Sequence, residues 1–170
     1  METKKFLVPP KSKINLSKYP TDYSGDFKSK KEAVKILKKN IERMTELQAK
    51  LYAQDKYSLL IVFQAMDAAG KDGTIKHVMS GLNPQGTQVF SFKQPSKEEL
   101  DHGYLWRINK ALPERGRIGI FNRSHYEDVL IQRVHKWIDG ETVDKRIQAI
   151  NAFEDLLSFD GKTIILKFYL

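Results

Sequence analysis

Apolar positions along this chain follow two rhythms. Ser58-Leu59-Leu60-Ile61-Val62-Phe63 and Ile118-Gly119-Ile120-Phe121-Asn122 are short, nearly continuous apolar runs, the pattern of strands covered on both faces. Thr87-Gln88-Val89-Phe90-Ser91-Phe92 and residues 163–170 add two further β-rich runs. Elsewhere the spacing is helical: behind a Ser29/Glu32 capping box, Val34, Leu37, Ile41, Met44, Gln48 and Leu51 recur every three or four residues. That stripe covers about two and a half heptads, too few to argue for a coiled coil, so it is expected to pack on the domain's own sheet, with a dimer contact as the alternative. Further helices are expected over 74–80, from a Ser96/Glu99 capping box to about Leu112, from a Ser124/Glu127 capping box, and over 142–158. Pro113 and Gly116 close the second of these, and Asp160-Gly161 turns the chain into the last strand. Strands alternating with helices imply parallel βαβ units, so the fold class is α/β, a doubly wound parallel sheet flanked by helices. Residues 1–25 are polar, contain Pro9, Pro10 and Pro20 and keep no period; they read as an extended N-terminal arm before a single-domain core over 26–170.

Composition narrows the class. A chain of 170 residues with 41% hydrophobic and 29% charged residues suits one domain with its own core. No apolar run reaches the roughly 18 residues that span a bilayer, and Met1-Glu2-Thr3-Lys4-Lys5 leads into no signal-peptide core, so a cytoplasmic protein without a membrane partner is expected. The absence of cysteine excludes disulfides and thiolate chemistry, and the four histidines lack zinc spacing. A net charge of +8 points to a polyanionic partner without naming it.

The chemistry concentrates after the first apolar strand. Gln64-Ala65-Met66-Asp67-Ala68-Ala69-Gly70-Lys71-Asp72-Gly73-Thr74 joins that strand to a helix, where backbone N–H groups and the helix's positive end converge and Lys71 adds a full charge. An oligophosphate is the natural occupant. The segment departs from the P-loop pattern G-x-x-x-x-G-K-[ST]: Ala65 replaces the first Gly and Asp72 the hydroxyl, while Thr74 offers a displaced hydroxyl. A carboxylate inside such a loop, Asp67, makes sense if Mg²⁺ lies between it and the phosphates. The plain alternative is a turn that uses Gly70 and Gly73 for backbone geometry and leaves Lys71 solvated. A second constellation, Phe121-Asn122-Arg123-Ser124-His125-Tyr126-Glu127-Asp128, follows another strand's carboxyl end, where α/β sheets gather ligands. Arg123 offers a planar fork for phosphate oxygens, Asp128 a second metal-facing carboxylate, and Glu127 either reaches a nucleotide or merely caps its helix. His77 and His125 read as surface or packing residues, and Lys76, Lys93, Arg107, Lys110, Arg115 and Arg117 as solvated cations or members of a polyanion track.

Taken in order, Asp67–Thr74, Phe92-Lys93-Gln94-Pro95, Leu105-Trp106-Arg107 and Phe121–Leu130 resemble the polyphosphate kinase 2 family, specifically its class III branch, from about residue 25 onward. The resemblance implies a P-loop kinase-like core that moves phosphoryl groups between inorganic polyphosphate and the adenine nucleotides AMP, ADP and ATP, with Mg²⁺ or Mn²⁺ as cofactor. By that resemblance Asp67 and Asp128 are the metal-linked carboxylates, and Lys71 and Arg123 hold the transferring phosphates. Ala68, Ala69, Gly70, Asp72, Gly73 and Thr74 form the phosphate loop, Glu127 belongs to the nucleotide site that permits AMP, and Arg133 is an outlying contact. Family members continue past the strand ending at Phe168-Tyr169-Leu170 with helices and a lid, so this chain reads as truncated after that strand, which leaves apolar sheet surface open to homo-oligomerisation. Two other readings stand beside the enzyme: a non-catalytic polyphosphate- or nucleotide-binding core, and a basic nucleic-acid-binding protein. The last has only charge behind it, since no helix-turn-helix, zinc finger or RNA-binding aromatic signature is present.

Overall fold

A computed structural model of the chain describes residues 3–20, 22–23, 25–66 and 68–170. It divides into two compact units, Met1–Lys39 and Asn40–Leu170, with helix α1 (Lys30–Gln54) contributing residues to both. The first unit carries two short 3₁₀ turns, Thr3–Phe6 and Leu16–Lys18, and the rings of Phe6 and Tyr23 meet at 5.7 Å. At the start of α1 the Ser29 hydroxyl accepts the Glu32 N–H as expected, but the Glu32 carboxylate accepts from the N–H of Lys28 rather than from the cap residue. Residues 1–39 hold eleven lysines and four carboxylates, so +7 of the net +8 lies in this unit and the second is close to neutral.

In the second unit four parallel strands, β1 (Ser58–Gln64), β2 (Thr87–Ser91), β3 (Ile118–Asn122) and β4 (Thr163–Tyr169), lie side by side in the order β2-β3-β1-β4. The continuous apolar runs of β1 and β3 take the two central places, where both faces are covered, as their composition requires. Alternation of side chains then makes two core layers. Leu60, Val62 and Phe121 pack with Phe92, Ile108 and Ala111 on one face; Ile61, Phe63, Ile118 and Ile120 pack with Leu82 and with Met44, Leu51, Ile75 and Met79 of helices α1 and α2 (Lys71–Met79) on the other. The second half of the α1 stripe therefore covers the sheet. Gln48, on that stripe, is buried because it replaces backbone partners: its amide accepts from Asn83 N–H at 2.8 Å and donates to Asn83 O and Thr87 Oγ1 at 2.9 Å.

Two expected helices are redrawn. The one opened by the Ser96/Glu99 capping box, which is present in full, ends after a single turn as α3 (Lys97–Leu100), and a second short helix, α4 (Trp106–Lys110), follows. Gly103 interrupts the pattern, its carbonyl accepting from Trp106 N–H at 2.8 Å, and the break lets Arg107 and Ile108 turn inward. Helix α5 (Glu127–Val134) has no side-chain cap: Ser124 Oγ accepts from Tyr126 N–H, and the Glu127 carboxylate turns to Gln64 instead of back to Ser124. Helix α6 (Gly140–Phe159) packs beside α5 through Val129, Val143 and Ile150. Among the described residues no helix is long and apolar enough to cross a membrane.

Candidate active site

Strand order locates the cleft before any side chain is considered. From β1 the chain crosses past β3 to reach β2, whereas from β3 it crosses past β1 to reach β4, so the two central strands send their connections in opposite directions. A crevice opens where adjacent strands diverge in this way, at their carboxyl ends. Gln64 and Asn122 stand there, in register through the Phe63–Asn122 pair. A cleft of about 540 Å³ lies at this edge, lined by Ala68, Ala69, Gly70, Lys71, Asp72 and Gly73 after β1, by Asn122 and Arg123 after β3, and by Ser91 and Lys93 after β2. The structure thus brings together most of the loop residues named from the sequence with Arg123 from a segment some fifty positions away. Asp67 lies outside the described residues.

The rim of the cleft is held in unusual backbone conformations. Ala68, Gly70 and Arg123 have φ of +62°, +88° and +64°. Gly70 suits this region and caps α2 with open space around the position of a Cβ, so conformation rather than crowding calls for glycine. Ala68 and Arg123 each carry strain of about 1–3 kcal/mol, which persists only where the surroundings over-determine the chain. Lys71, Asp72 and Gly73, whose N–H groups have no partner within the helix, line the cleft, while Thr74, half-buried, donates its N–H to Gly70 O at 2.9 Å and lies off the cleft lining.

Charge is arranged in layers. At the cleft, Lys71 Nζ donates to the carbonyls of Ala65 and Met66 at 3.2 and 3.1 Å, which holds the ammonium against its own loop. The Asp72 carboxylate accepts from the Asn122 amide across the cleft. Behind it, Asp128 is buried and pairs through Oδ2 with Arg107 Nη2 at 3.1 Å; each side chain is 7% exposed. Arg107 also donates to Lys93 O at 2.9 Å and lies over the Phe92 ring at 5.5 Å. It is therefore a structural ion-pair partner here, not a member of an open cationic track. Glu127 accepts from Gln64 Nε2 at 2.6 Å, at the end of β1. Arg133 is exposed on α5 and does not line the cleft. A second hollow of about 500 Å³, with Phe90, Phe92, Trp106 and Lys110 in its wall, shares Ser91 and Lys93 with the first.

One cluster escaped sequence reasoning. His125 is fully buried, as a packing histidine would be, but its Nε2 bonds Glu154 Oε1 at 3.1 Å; Tyr126 Oη donates to the same oxygen at 2.9 Å, and Lys167 Nζ reaches Glu154 Oε2 at 2.5 Å and Tyr126 Oη at 2.9 Å. Burial by itself would push Glu154 up, but the hydrogen bonds from His125, Lys167 and Tyr126 together with the Lys167 charge outweigh it and hold the carboxyl at about 2. Burial also dominates at Tyr126 and raises its hydroxyl. The signal was legible: Glu154 shares the apolar face of α6 with Val143, Ile150 and Leu157, where a carboxylate needs partners.

The family model described as Polyphosphate kinase 2 (PPK2) matches residues 27–170. Over its whole length the chain is 48% identical to an ADP-polyphosphate phosphotransferase of Rhodopseudomonas palustris, and over 98% of it 43% identical to an AMP/ADP-polyphosphate phosphotransferase of Meiothermus ruber. The crystal structure of Polyphosphate Kinase 2 from Arthrobacter aurescens TC1 superposes on 99% of the chain with a TM-score of 0.89 at 40% identity. These proteins are longer: the chain spans 63% and 62% of the two relatives and 60% of the crystallised chain. With the family model matched across the whole of the second unit and the loop, crevice and Arg123 segment in one place, the chain belongs to the polyphosphate kinase 2 family.

Proposed function

We propose that this chain forms the catalytic core of a polyphosphate:nucleotide phosphotransferase, moving phosphoryl groups between inorganic polyphosphate and AMP or ADP, as class III members of the family do. One observation carries the reading: the loop from Ala68 to Gly73, the Lys71 ammonium and Arg123 converge on a single cleft that shares Ser91 and Lys93 in its wall with a second hollow. Two substrates that must meet at one phosphorus need two contiguous sites. Phosphoryl transfer asks little covalent chemistry of the protein and depends on alignment and on neutralising charge spread over the moving group. Lys71 would leave the Ala65 and Met66 carbonyls for a phosphate oxygen, the first N–H groups of α2, which have no partner within the helix, would hold a second, and Arg123 would clamp the group from the β3 side.

The donors present fit a hard divalent cation such as Mg²⁺, which takes one or two carboxylates and otherwise relies on substrate phosphates and water. Asp72 offers a carboxylate on the cleft wall, and Asp128, whose Oδ2 holds Arg107, has no hydrogen bond at Oδ1 among the described residues. Asp67 and Asp128 remain the carboxylates assigned to the metal, and Asp72 is a further candidate on the cleft wall. When bound, the ion supplies charge neutralisation on the phosphates. Glu127, held by Gln64, is assigned to the nucleotide site.

The test is nucleotide formation from polyphosphate and AMP or ADP with Mg²⁺ by the purified 170-residue chain, with Lys71→Ala as the control. Product that falls at least about 100-fold in the control supports the reading, the size expected when a donor to the transferring group is lost. Polyphosphate binding without turnover by the unaltered chain would instead establish the non-catalytic binding core.

A further inference from the structure

We infer that Glu154 is a positioning residue for Arg123, acting through His125 and Tyr126; the inference rests on the functional reading above. Arg123 sits at the cleft in a left-handed conformation that a side chain disfavours, so something must hold the chain there. The three residues that follow do so. Ser124 is fully buried, its Oγ donating to Gln64 Oε1 at 3.3 Å and accepting from Tyr126 N–H at 3.2 Å. His125 and Tyr126 both end on one carboxylate oxygen, Oε1 of Glu154, which projects from the middle of α6. Lys167 of β4 then grips the other oxygen and the Tyr126 hydroxyl.

A single buried carboxylate therefore ties α6 and β4 to two consecutive residues, immediately after Arg123 and immediately before Glu127 and Asp128. None of the four side chains lines the cleft. Their geometry reaches the substrate only by fixing where the β3–α5 segment runs. Fixing a phosphate clamp in advance is where transfer rate is gained, since a displacement of about 1 Å costs on the order of 100-fold.

The experiment compares the full chain with Glu154→Gln, Lys167→Met, Arg123→Ala and the Glu154→Gln/Arg123→Ala pair, reading kcat, KM for ADP and backbone hydrogen exchange. Glu154→Gln keeps the shape but loses the charge that two hydrogen bonds and Lys167 require. The expected result is a kcat lowered roughly 10- to 100-fold with KM within about twofold, and faster exchange confined to residues 123–128. Lys167→Met, at a side chain 47% exposed, disturbs the fold less and gives a smaller fall, because two donors to Glu154 remain. In the Arg123→Ala background the Glu154→Gln factor shrinks to less than about twofold, since groups acting as a unit are not additive. Full persistence of that factor, unchanged exchange at 123–128, or exchange rising equally across β1 and β3 would overturn the inference in favour of a merely structural carboxylate. Should the unaltered chain transfer no phosphate, the functional reading fails, and the exchange pattern alone decides whether Glu154 positions the segment.

Discussion

Asp128→Asn should expose how much of this core rests on one ion pair. The substitution keeps size and shape but removes the charge facing Arg107, whose guanidinium is 7% exposed and cannot be neutralised by losing a proton. At 3.1 Å the pair's attraction is about 5 kcal/mol for an effective dielectric constant of about 20, and removing one partner of a buried pair costs about 3–5 kcal/mol in practice. Glu99 stands 3.8 Å from the same guanidinium with its side chain 27% exposed, and the Lys93 carbonyl still accepts from it. Those remaining partners place the expected loss at the lower end, about 3 kcal/mol, which for a chain of this size lowers the melting temperature by about 6–12 °C. Urea titration followed by circular dichroism, with an unchanged m-value, measures it. A loss below about 1 kcal/mol, the worth of a surface pair, would refute the claim that the pair is desolvated. Replacing both partners, Arg107→Met with Asp128→Leu, should recover most of the loss, because the desolvation cost disappears with the charges.

Acid stability should depend on Glu154. Its folded pKa of about 2 lies below the ordinary 4.5, so the folded state binds fewer protons; the stabilisation is complete above about pH 4.5 and lost as pH falls toward 2. Urea midpoints across that window should fall more steeply for the unaltered chain than for Glu154→Gln, and parallel curves would contradict the hydrogen-bonded carboxylate. Gly119→Ala should cost about 1–3 kcal/mol by overpacking, since a Cβ on this central strand would sit 2.9 Å from Pro113 Cδ, an atom of a rigid ring. Thermal melting reads that loss, and no change would mean that the Pro113 segment shifts freely.

Much of this molecule was legible one segment at a time. Four strands, the long helix behind Ser29 and the phosphate loop each declare themselves through local spacing, because a buried parallel strand must be apolar throughout and a helix on a sheet must keep one stripe. The residue-by-residue family likeness, too, is a property of the sequence alone. What tertiary structure decided concerns pairs of residues far apart in the chain. Ser124 and Glu127 have capping-box spacing, yet the carboxylate goes to Gln64, sixty-three positions earlier, because the parallel β1–β3 pairing brings the ends of those strands together. The helix expected through Leu112 breaks at Gly103, and Arg107 turns in to meet Asp128 rather than lying in a basic surface track. The sequence itself carries +7 of the +8 in residues 1–39; what the structure adds is the division of units that leaves the cleft-bearing one nearly neutral. Local pattern specifies which face of an element is buried; only the strand order specifies which buried polar groups will find one another.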